Sequence, residues 1–423
     1  MYSALSIPIK SGWVRLVLLV AILLLPALAC GGQETLIPTP VPTNPERVDD
    51  EARTAPCQLS DPFTLYAENP LKAQESGAYD DDPGARLVLE AFGGDFDNLH
   101  ALGLISDPFV MFEDGRYKMW FTGLKHVQGE LDDVGETQDG ETLIQGVAYS
   151  ESDDGILWQD TKVAETGMTL VLEPTPGGWD RFGIETVTVV KNPDNGQYMM
   201  YYAGHITPSG AYHIGLAFSE DGIHWEKHPE PVLKPMYDWE KAHVMPESHP
   251  EGGRLSGGVL EPTVIYDEGV FKMWYATLGL EDGQSFSTWG GRIGYATSID
   301  GIAWERSKEP VFVMGEADAW DSDWVSHSHV IQDPVEGYHL FYAGEAGDKG
   351  TYGIGHAYSS DGIDWERNPV NPIVANDKSA WNSEMTGGPS ALFKDDRLYL
   401  WFFGSKRDDF SHVYFGLATA ECQ

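Results

Sequence analysis

The stretch IGLAFSEDGIHWEK, residues 214–227, returns as IGYATSIDGIAWER at 293–306 and as IGHAYSSDGIDWER at 354–367. A looser copy, GVAYSESDDGILWQD, occupies 146–160, and a truncated one, FGLATAEC, lies at 415–422. Trp158, Trp225, Trp304 and Trp365 thus recur at roughly 60 to 80 residue intervals, which suits a propeller blade better than a short solenoid repeat. Within the motif, Asp221, Asp300 and Asp361 are expected to cap their own turns, and Gly222, Gly301 and Gly362 to supply backbone freedom. The tryptophans are expected to wedge between repeats. An element present in every copy does not mark one active site.

Upstream of each copy lies a second recurrent element. It reads DPFVMFEDGRYKMWFTG from Asp107, ETVTVVKNPDNGQYMMYYAG from Glu185, EPTVIYDEGVFKMWYAT from Glu261, HSHVIQDPVEGYHLFYAG from His327 and GPSALFKDDRLYLWFFG from Gly388. Each is strand, tight turn, strand: the turns carry residues that tolerate positive φ, and the flanks are rich in Val, Tyr, Phe and Trp. The IGYATS-type segment is the third strand, and the stretch after the Trp, such as WERSKEPVFVM, is the fourth. The fold expected is therefore all-β, a five-bladed β-propeller of four-stranded antiparallel blades, whose radial closure leaves only short edges.

The ring is expected over 57–423. Ahead of it, residues 1–29 carry Lys10 and Arg15, an apolar run from Leu16 to Leu25, and small residues before Cys30, which is followed by two glycines. This pattern resembles a bacterial lipoprotein signal, and the resemblance implies lipidation of Cys30 and a location in the cell envelope or at the cell surface; simple secretion is the alternative. Residues 30–56 read as a flexible Pro- and Thr-rich tether. With Cys30 lipidated, Cys57 and Cys422 remain at the two ends of the ring, and in an oxidising compartment they are expected to pair. The 423 residues hold 27 Lys plus Arg against 66 Asp plus Glu, a net charge of −39. Such a surface repels phosphate backbones, so nucleic acid is excluded as a partner, whereas a neutral ligand meets no such barrier. A monomer is expected.

A repeat protein places its chemistry where its copies disagree. Aligning the hairpins puts Asp107, Glu185, Glu261, the Ser326-His327-Ser328 stretch and Gly388 at the head of the first strand, the strand that lines a propeller's channel. Three carboxylates brought together in a partly buried funnel do not all ionise at ordinary values, and at least one is pushed up. Glycoside hydrolysis needs that arrangement, a protonated acid and an ionised partner. Holding blade backbone amides, a water or an ion is the bland alternative.

With an Asp-Pro opening the first hairpin and a Glu-Pro opening the third, the chain resembles the five-bladed glycosidases of glycoside hydrolase families 43 and 32, with the family 130 mannoside phosphorylases as relatives. The resemblance runs from about Asp61 to Cys422. It implies Asp107 as base or nucleophile, Glu185 as the acid that orients and tunes, and Glu261 as proton donor. The second-blade acid is Asp in those families, and here Glu185 stands in its place.

Other candidates lie nearby. Phe96, Trp179, Trp239, Trp320 and Trp381 each precede a channel strand beside an Asp, Glu or Asn; packing is the first reading, and stacking of Trp179 on a sugar face is the second. The insert between Glu281 and Arg292, with Phe286 and Trp289, reads as a substrate-facing loop. His327 and His329 could meet sugar hydroxyls or, with Arg181 or Arg292, an anion such as phosphate. No HExxH, CxxC cluster, P-loop, G-x-S-x-G or EF-hand spacing is present, and no metal or cofactor is expected. The expected activity is cleavage of glycosidic bonds in a neutral glycan. Phosphorolysis and carbohydrate binding without turnover are the alternatives.

Overall fold

A computed structural model describes residues 55–73, 106–128, 141–159, 163–164, 167–207, 210–244, 255–279, 290–346, 351–405 and 413–422. The signal-like segment with Cys30, the tether up to residue 54, Phe96, Phe286 and Trp289 lie outside these residues. Among the described residues the chain is a β-propeller, built of five antiparallel meanders. Blade one is Ser106–Glu113, Arg116–Gln128 and Glu141–Ser152; blade two is Ile184–Lys191, Tyr198–His205 and Ala211–Ser219. Blade three is Leu255–Asp267, Val270–Gly279 and Gly290–Ser298. Blade four is Trp324–Gln332, Tyr338–Ala346 and Thr351–Ser359, and blade five is Met385–Lys394, Arg397–Ser405 and Val413–Glu421. The first strands touch in sequence from blade one to blade five, and blade five touches blade one, so they form a closed ring. No helix among the described residues is long and apolar enough to cross a membrane.

The outer strands are shorter than the sequence suggests. In blade three only Glu305–Arg306 pairs with the third strand, and the chain returns for a single bridge between Phe312 and Ile293. Pro310 lies between the two and has no N–H to give the ladder. Pro231 interrupts the equivalent stretch of blade two, between Glu226–Lys227 and the bridge from Leu233 to Ile214. Blade five takes its outer strand from the other end of the chain: Thr64 and Leu65 pair with Thr419 and Ala418. Cys57 and Cys422 are disulfide-bonded at the same place, their Cα atoms 4.9 Å apart.

The apolar cores lie between blades. Phe109 and Trp120 pack with Met200 and Tyr202 across blades one and two, Tyr201 with Met273 across two and three, and Trp274 with Leu340 across three and four. Each such large side chain, fully buried, contributes about 1.5–3 kcal/mol of transfer free energy.

The D-G-I-x-W motif locks these interfaces. Asp221 Oδ1 accepts the N–H groups of Ile223 and His224 and closes the turn, as expected. The Gly222 carbonyl then accepts the Trp120 indole N–H of the preceding blade at 2.8 Å. Gly301 does the same for the Tyr201 hydroxyl, Gly362 for the Trp274 indole and Gly155 for the Trp401 indole, and this last bond joins blade one to blade five. Gly222 has φ +78°, which favours glycine, and an added Cβ would stand 3.0 Å from the Trp120 ring.

The aromatic–acid pairs have a structural role too. Trp179 stacks on Tyr202, Trp239 on Tyr275 and Trp381 on Phe402. Beside them, Asp180, Glu240 and Asp321 are fully buried, accept the hydroxyls of Tyr202, Tyr275 and Tyr342, and pair with Lys227, Arg306 and Arg367. These cations are the last residues of the repeated WEK and WER segments, so one motif end holds the other. Glu240→Gln leaves Arg306 buried without its counter-charge, and a loss of about 3–5 kcal/mol in chemical unfolding is expected. Unchanged unfolding would show that the pair is not what holds the blade.

Candidate active site at the propeller axis

Each first strand bears an irregularity near its head. The ladder register shifts between Ser106 and Phe109, Glu185 and Val187, Leu260 and Thr263, Ser326 and His329, and Gly387 and Ser390. At each shift one residue takes positive φ: Asp107 at 54°, Thr186 at 46°, Glu261 at 52°, His327 at 47° and Gly388 at 57°. Four are not glycine, and a β-branched threonine in this region is a strained outlier. Such bulges re-aim a side chain, here towards the axis. Pro108, Pro262 and Pro389 follow three of them, where an N–H would have lost its partner.

This corrects the register read from the sequence. Thr186, not Glu185, stands level with Asp107, Glu261 and His327. The Asn-Pro-Asp-Asn-Gly turn of blade two is longer than its counterparts and blurs the count back from Met200. Asp107, Thr186, Glu261, Thr263, His327, Ser328, His329 and Gly388 border a cavity of about 30 Å³, room for a water molecule or two rather than a sugar ring.

Around it the bonding is dense. Asp107 Oδ2 accepts Ser106 Oγ at 2.5 Å and Thr122 Oγ1 at 2.9 Å, while Oδ1 lies 3.0 Å from His327 Nε2. The other ring nitrogen of His327 is 3.3 Å from Glu261 Oε1, and its backbone N–H donates to Glu261 Oε2. One imidazole therefore bridges two carboxylates, all three residues 7–8% exposed. Burial pushes Glu261 up to about 7, with Asp107 and Glu185 adding repulsion and His327 opposing it. His327 is raised, because Glu261, Asp107 and Glu185 outweigh its burial.

Glu185 sits one residue out of the ring. It accepts Gln145 Nε2 at 2.6 Å and lies 3.4 Å from His205 Nε2. Despite burial it is held below its ordinary value by His205, Tyr212 and Gln145. Those three partners carry no signal in the sequence. His205 and Tyr212 face each other across the second and third strands of blade two, at positions that belong to no recurrent motif.

The remaining candidates separate. His329 borders the cavity, but its Nε2 lies 3.1 Å from the Ala391 carbonyl and burial lowers it to about 4. His327 is engaged by carboxylates rather than open to an anion. Trp179 is a packing residue, filling the space a Cβ at Gly204 would need. Arg292 is buried in the third strand of blade three, paired with Thr277, and does not border the cavity. Arg181 lies over the Phe182 ring at 4.2 Å. Gly388 contributes no side chain: a Cβ there would lie 2.5 Å from Phe403 and 3.3 Å from the Asp107 Cα.

No family model matches the chain. Among curated proteins it is 26% identical over 180 residues to the uncharacterized protein Rv1502 of Mycobacterium tuberculosis, covering 41% of this chain and 51% of that one. It is 30% identical over 138 residues to a 1,2-beta-oligomannan phosphorylase of Thermoanaerobacter sp., covering 31% of this chain and 43% of that one. The chain spans about half the length of the curated relatives it matches. Solved structures with a similar fold include a glycoside hydrolase, at TM-score 0.53 and 17% identity over 75% of this chain and 88% of that one. A thermostable family-43 glycoside hydrolase matches at TM-score 0.52 and 17% identity, over 74% and 88%. At these identities the likeness establishes the fold.

Proposed function

We propose that the chain cleaves glycosidic bonds at the mouth of the axial cavity, with Glu261 as proton donor and Asp107 as base or nucleophile. The observation that carries this reading is a buried carboxyl raised to about 7, set against a second carboxylate across one imidazole. Burial and the neighbouring carboxylates leave a proton on Glu261, while His205, Tyr212 and Gln145 keep Glu185 ionised. Glu185 is the tuning acid: it stays ionised and its field helps to keep Glu261 protonated. The cavity is too small for the sugar, so the ring rests above it and the leaving oxygen reaches down to Glu261. Solved relatives of the fold that are glycoside hydrolases support the reading.

Hydrolysis fits the charge better than phosphorolysis. A phosphate dianion would meet Asp107, Glu185 and Glu261, while the one imidazolium is already shared between two of them. The partial likeness to a 1,2-beta-oligomannan phosphorylase keeps phosphorolysis as the second reading. Turnover of a glycan panel with and without phosphate separates the two: reducing ends formed without phosphate support hydrolysis, and a sugar phosphate formed only with it supports the second. No product in either case leaves a carbohydrate-binding propeller. The disulfide supports an exported domain, and the residues before Cys30 an anchored one, since such bonds persist in oxidising compartments.

The proton donor sets the pH profile. Glu261 is a donor only while protonated, so kcat/KM is expected to fall about tenfold per pH unit above pH 7. Glu185→Gln removes a charge that raises Glu261, so its alkaline limb moves towards acid. A limb that stays in place in this variant would show that Glu185 does not tune the donor.

A further inference from the structure

Two buried histidines lie far from the axis, where the N-terminal segment crosses blade four. His339 and His356 are 0% and 3% exposed, and their rings stack with centroids 5.1 Å apart. Asn368 fixes the direction of the hydrogen bonds through them. Its Oδ1 accepts the Val370 N–H at 3.0 Å, so its Nδ2 is the donor, to the Leu59 carbonyl at 2.8 Å and to His356 Nδ1 at 3.2 Å. His356 Nδ1 is therefore an acceptor and its proton sits on Nε2, which is 2.8 Å from His339 Nδ1. That nitrogen must accept in turn, so His339 carries its proton on Nε2 and gives it to Asp333 Oδ2 at 3.0 Å. The same Asp333 oxygen accepts the Cys57 N–H at 2.8 Å. Both ends of the chain of bonds therefore hold the N-terminal segment, at Leu59 and at Cys57.

We propose that this chain is a proton-sensitive clasp: acidification releases residues 57–59 from blade four, while the bridge to Cys422 keeps them tethered. A further proton has nowhere to sit. On His356 Nδ1 it would face the Asn368 donor, and on His339 Nδ1 it would face the His356 N–H. Carbon surrounds the pair elsewhere, with the Phe393 ring of blade five 5.4 Å from His339 and Phe341 5.2 Å from His356. The titratable neighbours are Asp333 and Tyr358, the latter 5.5 Å from His339 with its hydroxyl given to the Glu336 carbonyl. Asn371 adds neutral bonds to the His356 backbone. Asp333 accepts, besides the N–H groups of Cys57 and His339, those of Val335 and Glu336.

The sign follows from burial, which holds His356 well below the ordinary imidazole range, with His339 adding to the effect. The released imidazole takes a proton near pH 6.5 and the docked one does not, so docking is complete above that pH and weakens by up to about tenfold per unit below it. Hydrogen exchange of residues 57–63 in the full chain, corrected for intrinsic rate, tests this. About tenfold loss of protection is expected between pH 7.5 and 5.5, and His356→Gln, which keeps an N–H towards His339 but does not titrate, is expected to flatten it. Protection that does not change with pH, or a loss of equal size in the variant, overturns the proposal. Nitrogen-15 spectra of the wild-type histidines give a reading without mutation: at pH 7.5, where the segment is docked, His356 is neutral with its proton on Nε2 if the clasp is right, and an imidazolium or the Nδ1-protonated tautomer there sinks it.

Discussion

Glu261→Gln is expected to lower kcat on any glycoside the protein cleaves by about 10²–10⁴-fold, the usual worth of a positioned general acid, while the chain stays folded. The amide keeps the volume of the carboxyl and can still accept the His327 N–H, so the bulge at φ 52° survives. What it lacks is a proton to give. Below pH 7 the Glu261 carboxyl is already neutral, so its replacement by an amide removes no charge there and stability should hold. A glycoside with an activated leaving group distinguishes a lost proton donor from a lost site: it needs little protonation and should retain most of its wild-type rate. Equal loss on both substrates would remove Glu261 from the donor role, and Asp107→Asn, which should abolish both, supplies the contrast.

The blades were legible because they repeat. A turn that must close with Asp221 and Gly222 must do so again at Asp300 and Gly301, and the strands on either side alternate in the same way. The aromatic–acid pairs were legible only as packing. Their cations, Lys227, Arg306 and Arg367, look like ordinary ends of polar strands, and burial alone shows what they hold. The meeting of Asp107, Glu261 and His327 at the candidate site was legible, and at the first two the following Pro108 and Pro262 mark a break in the strand. Glu185 misled because a carboxylate one place from a bulge looks in a string of letters like one on it. Whether residue 185 or 186 carries the positive φ depends on how the longer Asn192–Gly196 turn is absorbed, which is a matter of three-dimensional register. The His339–His356 chain had no signature at all: its members come from neighbouring strands whose period in sequence is that of every other blade.

Reduction of the Cys57–Cys422 bond, or Cys57→Ser, is expected to cost about 5 kcal/mol of unfolding free energy, because the bond closes a loop of 365 residues. A propeller is unusually dependent on such closure. Each blade is held by the next through a glycine carbonyl and an aromatic, but between blades four and five the corresponding partner is Phe341, which has no donor. In its place Phe63 of the N-terminal segment lies edge-on to the Phe341 ring at 6.1 Å. That segment also gives blade five its outer strand, through two residues at Thr64 and Leu65. Two residues of ladder are too little to hold an edge by themselves. Without the bond, the ends of the ring are kept together by the Trp401–Gly155 contact, the apolar core of Val110 and Phe121 against Phe403 and Phe415, the Val110 N–H to Ser390 Oγ, and the short outer strand. The outer strand and its core, Phe63 and Leu59 against Leu400 and Phe402, should therefore open before the other blades. Urea unfolding followed by exchange in blade five measures this. Coincident transitions with and without reductant would mean that the apolar contacts close the ring unaided.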